Sequence, residues 1–149
     1  MPKPVTVAID VPQTIEHVYD FLDVLANHEA FNDHLLTHWQ LSGPPRGVGA
    51  TAVVHSRAMG VSDVIEIVVT QGDAPTLIVE RNTARKAGRV GQGTYRLRPT
   101  TEGGTHIEFE YRWLTTPLID RLTAPLARSF IRRNNATAMT RLRDLLAAG

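Results

Sequence analysis

Residues 116–149 read TPLIDRLTAPLARSFIRRNNATAMTRLRDLLAAG. Apolar side chains fall at Ile119, Leu122, Leu126, Phe130, Ala138, Leu142 and Leu145, three or four apart except for one missing step. That spacing predicts a long amphipathic helix with one buried stripe. The missing step is Asn134. Pro125 lies inside the pattern, where it would remove a backbone donor and clash with the preceding turn. The helix therefore either starts near Thr116 and kinks, or begins afresh with Thr123 as cap and Pro125 in its first turn. Both versions run to Leu146.

Upstream of this helix the period changes to two. Between residues 37 and 115 the stretches WQL, TAVVHSRAM, VSDVIEIVVT, TLIVERNT, GTYRLR and THIEFEYRW are separated by SGPPRGVG, Gly60, QGDAPT, RKAGRVGQG and RPTTEGGT. Connectors this short allow antiparallel hairpins and exclude parallel crossovers, which need a dozen or more residues. Val5, Val7 and Ile9 alternate with polar residues and add a first strand, making seven. After Pro12, TIEHVYDFLDVL places Ile15, Val18, Tyr19, Leu22 and Leu25 at helical spacing, with Thr14 available as cap. ANHEAFNDHLL, anchored by Phe31, Leu35 and Leu36, reads as a short second helix or an ordered loop.

The order is thus one strand, one or two helices, six strands and one long helix, an α+β arrangement. A curved seven-stranded sheet has one face to cover, and the last helix is the only element long enough to lie across it. A chain of 149 residues without repeats or linkers is expected to form one domain over 1–149. The sequence has 42% hydrophobic and 21% charged residues, as globular proteins do. The net charge of +1 points to neither a nucleic-acid nor a membrane partner. Lack of cysteine removes disulfides and thiolate chemistry. MPKPVTVAID has no apolar signal region and no stretch is long enough to span a bilayer, so a cytoplasmic location is expected.

In its opening strand running into VPQTIEHVYDFL, Trp39 on the second strand, the turn GPPRGVGA and the final helix ending RLRDLL, the chain resembles the START-like (SRPBCC) superfamily. This is the helix-grip fold, and the resemblance is to its polyketide cyclase/dehydrase and lipid transport group. It covers nearly the whole chain and marks fold more than chemistry. It implies a cavity between sheet and final helix that binds a hydrophobic small molecule of lipid, polyketide or isoprenoid type. The alternatives it implies are a polyketide aromatase/cyclase or dehydratase acting on a poly-keto chain, and an interaction protein like quinone-binding relatives. It also places Phe31 and His34 near the cavity mouth.

The residues themselves narrow the site. THIEFEYRW alternates cleanly, with Ile107, Phe109, Tyr111 and Trp113 on the helix-facing side and Tyr95 and Leu97 joining them. Phe130 and Ala138 lie on the helix stripe with Asn134. A carboxamide buried there without partners costs on the order of 1 to 3 kcal/mol, so Asn134 is expected to border a cavity beside small neighbours and to fix the polar end of a ligand. Phe109, Tyr111, Leu122, Leu126, Phe130 and Leu142 are expected to be mostly buried. TAVVHSRAM has two registers. The smaller, more apolar set Ala52, Val54, Ser56 and Ala58 is favoured for the interior, leaving His55 and Arg57 solvated; the other register makes those two pocket groups. In TLIVERNT one of Glu80 and Arg81 points inward, and Arg57 with Glu80 could form an interior pair. If the protein is an enzyme, Arg57, His55, Glu80 and Tyr95 are the candidates to polarise a carbonyl and move a proton.

Other chemistries lack support. His28, His34 and His38, with Glu29 and Asp33, do not have the spacing of a metal motif, and no metal is expected. GRVGQG precedes a strand and reads as a hairpin turn, so no phosphate-bearing cofactor is implied. The arginines of the last helix have no interleaved aromatics, which argues against nucleic acid.

Overall fold

Alternation of buried and open positions organises the sheet. The computed structural model describes residues 1–149. Its seven strands are β1 (Val5–Val11), β2 (Leu36–Ser42), β3 (Thr51–Ala58), β4 (Val61–Asp73), β5 (Leu77–Ala84), β6 (Val90–Pro99) and β7 (Thr105–Thr115). They form one antiparallel sheet in the order β1-β7-β6-β5-β4-β3-β2, a meander closed by β1 returning beside β7. Between β1 and β2 lie helix α1 (Ile15–Asp23), a 3-10 turn (Leu25–His28) and the short helix α2 (Glu29–Asn32). Thr14 caps α1 by accepting from the His17 N–H. The antiparallel α+β helix-grip architecture expected from the sequence is the one observed.

Directly paired residues of antiparallel strands share a face, so the register defines rows across the inner surface. Val7, Phe109, Tyr95 and Ile78 form one row. Val5, Tyr111, Gly93, Glu80 and Val69 form the next, followed by Trp113, Gly91, Asn82, Ile67 and Ala52. Val18, Leu22, Leu25 and Phe31 close over these rows from the helical side and join them in one core. The register of β3 is the apolar one: Ala52 and Val54 are buried, and His55 and Arg57 are exposed on the outer face. In β5, Glu80 points in and Arg81 out. The interior Arg57–Glu80 pair considered above is therefore excluded, because the two lie on opposite faces.

The C-terminal segment divides at Thr123 into α3 (Leu118–Leu122) and α4 (Ala124–Ala148). Pro125 sits in the first turn of α4, where no backbone donor is needed. The Thr123 hydroxyl does not cap α4; it donates to the Ile119 carbonyl at 2.6 Å. α3 is held by Asp120, which accepts a two-pronged interaction from Arg89 (2.6 and 2.8 Å) and a hydrogen bond from Trp113 Nε1 (3.0 Å). Both helices thus engage the inner side of the sheet. No helix is long and apolar enough to cross a membrane.

The buried stripe of α4 is not the one expected. Ala138, Met139, Leu142 and Leu146 are buried, whereas Leu122 and Leu126 are 73% and 61% exposed and Phe130 is half-buried. The reason is helical phase. Successive residues turn about 100°, so each step of four overshoots a full turn by about 40°. Leu122 ends the separate helix α3; within α4 the run Leu126, Phe130, Asn134, Ala138, Leu142 consists of four such steps and winds about 160° round the axis. Its two ends cannot face the same sheet.

This phase predicts a contrast in chemical denaturation. Leu142→Ala removes a fully enclosed side chain and is expected to cost about 2–5 kcal/mol, while Leu122→Ala is expected to change stability by less than about 0.5 kcal/mol. Equal losses would place the buried stripe elsewhere.

Candidate functional site

The inner face is not covered evenly. Leu97, Ile107 and Ile78 are buried beneath α1 and the second half of α4. Toward the end that carries the β3–β4 hairpin, the β5–β6 turn and α3, cover thins. Ser56, Ala58, Ile65, Asn82 and Tyr111 are half-buried there, as are Phe130, Ile131, Asn134 and Asn135 on the first half of α4.

Aromatic side chains line this interior in two groups. Phe31, His28, Tyr95 and Phe109 follow one another with centroid spacings of 5.1, 5.7 and 4.5 Å. Tyr111 meets Trp113 edge to face at 5.0 Å. Phe31, on α2 and at 0% exposure, belongs to the floor of the core beside His28 and does not stand at a mouth. Trp113 is equally enclosed, with its N–H committed to Asp120. Ala138 is packed core. Gly93 is needed for close approach: a Cβ there would come within 2.9 Å of Phe109 Cζ and 3.0 Å of Glu80 Oε1. The missing side chain makes room for both.

Polar groups are concentrated on the rows nearest the thinning end. Glu80 is buried, its Oε2 has no partner, and burial pushes its carboxyl up to about 7 against a hydrogen bond from Asn82. Asn82, two residues on and on the same face, has a buried Oδ1 without a partner. Burial also raises the phenols, Tyr95 with help from the Glu80 charge and Tyr111 up to about 12. On the first half of α4, Asn135 has a buried amide nitrogen without a partner. Asn134 is half-buried but its amide donates to the Phe130 carbonyl at 2.9 Å, satisfying it within the helix. Its main-chain carbonyl accepts from His34 Nε2 at 3.0 Å, which leaves the buried His34 Nδ1 open. The orphaned carboxamide group of RRNN is thus Asn135, which the walking phase of α4 brings into line with Ile131, Ala138 and Leu142.

Of the four candidates for chemistry, Glu80 and Tyr95 face inward on neighbouring rows, while His55 and Arg57 lie outside. The three histidines of the helical segment disperse. His28 is buried, donates to the Leu22 carbonyl at 2.7 Å and is pushed down to about 4 by burial. His34 holds α4, and His38 is exposed beside His55 at 4.9 Å. No group of three potential metal ligands forms. Asn82 and Asn135 were missed at the level of sequence. Asn82 could have been found from its alternation with Glu80, whereas Asn135 needed the helix phase.

Two other depressions lie outside this interior. One is bordered by Val24, Leu25, Leu41, Pro44 and Ala50, the other by His55, Ser62, Asp63, Arg85 and Lys86 on the outer face. Neither contains a buried polar atom without a partner.

The fold recurs in solved proteins. A Thermus thermophilus protein, TTHA0849, is 18% identical with a TM-score of 0.74, each chain covered to 98%. MLL2253 from Mesorhizobium loti is 18% identical with a TM-score of 0.72, again at 98% of both chains. DynU16, a putative protein in the dynemicin biosynthetic locus, is 17% identical with a TM-score of 0.67; the match takes in 97% of this chain and 47% of DynU16, about half its length. No curated protein matches the sequence. Residues 3–147 match the family described as polyketide cyclase / dehydrase and lipid transport, and the chain belongs to that family.

Proposed function

We propose that the protein binds a hydrophobic small molecule of lipid, polyketide or isoprenoid type between the inner face of the sheet and the first half of α4. The observation that carries this reading is the set of buried polar atoms without partners, Glu80 Oε2 and Asn82 Oδ1 on β5 and Asn135 Nδ2 on α4, in the part of the interior where cover thins. A packed apolar core would leave such atoms at a cost of about 1–3 kcal/mol each. A ligand hydroxyl that donates to one of these acceptors and a ligand oxygen that accepts from the amide lower that cost. Phe109, Tyr111, Ile67, Val69, Phe130 and Ile131 supply the apolar wall for its body. Asn134 and Tyr95 border the same space, the former positioned by His34.

A second reading, a cyclase or dehydratase, draws support from Glu80 alone. A carboxyl that titrates near neutrality can give up or take a proton at working pH. The outward placement of His55 and Arg57 removes the cationic partners that a carbonyl-polarising site would use, so binding is the reading favoured here.

Two measurements test this. Replacing Asn135 with Leu is expected to leave the fold intact and weaken binding of a long-chain alcohol by about 1–3 kcal/mol, while a hydrocarbon of the same length binds as before. Asn134→Leu, whose amide is already satisfied by Phe130, is expected to have the smaller effect. If neither variant separates alcohol from hydrocarbon in a dye-displacement titration, the polar anchor is wrong. The pH dependence of stability tests Glu80. Its carboxyl titrates near 7 when folded and near 4.5 when free. The folded state therefore holds a proton that the unfolded chain releases, and stability falls as pH rises through this window. Relative to Glu80→Gln, the wild type should lose on the order of 3 kcal/mol between these two values and little above them. A flat difference curve would mean that Glu80 reaches water.

A further inference from the structure

The end of the molecule where cover thins has an outer surface that the ligand reading does not use. Met59 and Val61 at the β3–β4 hairpin and Leu118, Ile119, Leu122 and Leu126 on α3 and the start of α4 are 56–73% exposed. They share one end of the sheet. β3 finishes where β4 begins, Thr83 pairs with Val90, and Val90 pairs with Thr115 just before α3. Scattered exposed apolar residues need no explanation, but six large ones at one end of the sheet, two on the β3–β4 hairpin and four beyond β7 with the β5–β6 turn between them, mark a contact surface.

Charge is gathered at the same end. The segments that form it, residues 1–4, 33–36, 57–63, 84–90 and 114–128, contain seven cations, Lys3, Arg57, Arg85, Lys86, Arg89, Arg121 and Arg128, and three carboxylates, Asp33, which pairs with Arg141, Asp63 and Asp120. Asp120 is already paired with Arg89, and Asp63 accepts from the backbone of Val64, Lys86 and Ala87. The chain has 16 Lys and Arg and 15 Asp and Glu, so the remaining surface is net negative. The overall charge of +1 conceals a molecule with one basic end.

We propose that this end docks onto an anionic lipid bilayer, with Leu118, Ile119, Leu122, Leu126, Met59 and Val61 entering the headgroup region and the surrounding arginines and lysines meeting lipid phosphates. Apolar side chains ringed by cations are the combination that binds such a surface. A second copy of the chain fits less well, since a twofold contact would oppose two basic surfaces. A nucleic-acid backbone would use the cations and leave the leucines in water. The contact is shallow and does not require the interior to hold a ligand, so it stands or falls separately from the binding reading.

Co-sedimentation of the full chain with vesicles tests it. Vesicles of phosphatidylcholine containing about one quarter phosphatidylglycerol should retain the protein at low salt, and neutral phosphatidylcholine vesicles should not; about 0.5 M salt should release it. Arg85→Glu with Lys86→Glu should weaken partitioning at least about tenfold, and Leu122→Glu with Leu126→Glu should weaken it further without lowering the thermal midpoint, since both leucines are already exposed. Absence of binding to the anionic vesicles, or equal binding by the variants, overturns the proposal. So does sedimentation equilibrium showing a dimer that the leucine substitutions dissolve, which would assign the surface to a second copy.

Discussion

Burial of the second half of α4 against the sheet is the contact on which the other features depend. Ala138, Met139, Leu142 and Leu146 enter the same core as Leu97, Ile107 and Val11, and Gln13 Nε2 donates to the Leu146 carbonyl, tying the helix end to the turn after β1. Because α4 is rigid, anchoring one half fixes the line of the other. The first half is held by directed polar contacts, Arg128 on the carbonyls of Lys3 and Pro4 and His34 on the Asn134 carbonyl. Hydrogen bonds set position without requiring the tight interdigitation of an apolar contact.

The polar residues of the inner face, Glu80 and Asn82, lie on the rows of Tyr111 and Trp113; Tyr111 and Asn82 are half-buried there, while Glu80 is buried and its Oε2 has no partner. Gly91 and Gly93 belong to the same rows. Across from Asn82 and Glu80 they leave the sheet surface low, and the rings of Tyr111 and Phe109 lean into that space. The basic end of the molecule continues the pattern outward, since Arg89 holds α3 through Asp120 while Arg85 and Lys86 on the same turn remain free of carboxylate partners.

The family match and the structural neighbours agree with this arrangement at the level of fold. At 17–18% identity, the similarity to TTHA0849, MLL2253 and DynU16 is one of backbone, and the chemistry of the interior has to be read from this chain's own side chains. Those side chains include one inward carboxyl, Glu80, and two inward phenols, Tyr111 on its own row and Tyr95 on the next.

Strand alternation, turn composition and helical spacing determined the elements, because each of those signals is local: THIEFEYRW contains its own two-residue period, and SGPPRGVG or RPTTEGGT can only be a turn. Short connectors then determined the antiparallel meander. The inward register of β3 was legible from the small apolar set Ala52 and Val54, and with it the outward position of His55 and Arg57. The facing of Glu80 was not, since Glu80 and Arg81 are equally unsuited to a core and only pairing with Gly93, which leaves space for the carboxyl, decided between them. Nor was the buried stripe of α4 legible. A chain of four-residue steps fits one helix face over any short window and departs from it over longer ones, so which window meets the sheet is set by packing at Leu142 and Leu146. That choice left the buried amide of Asn135, and not that of Asn134, without a partner, and left Leu126 in solvent beside the basic turns.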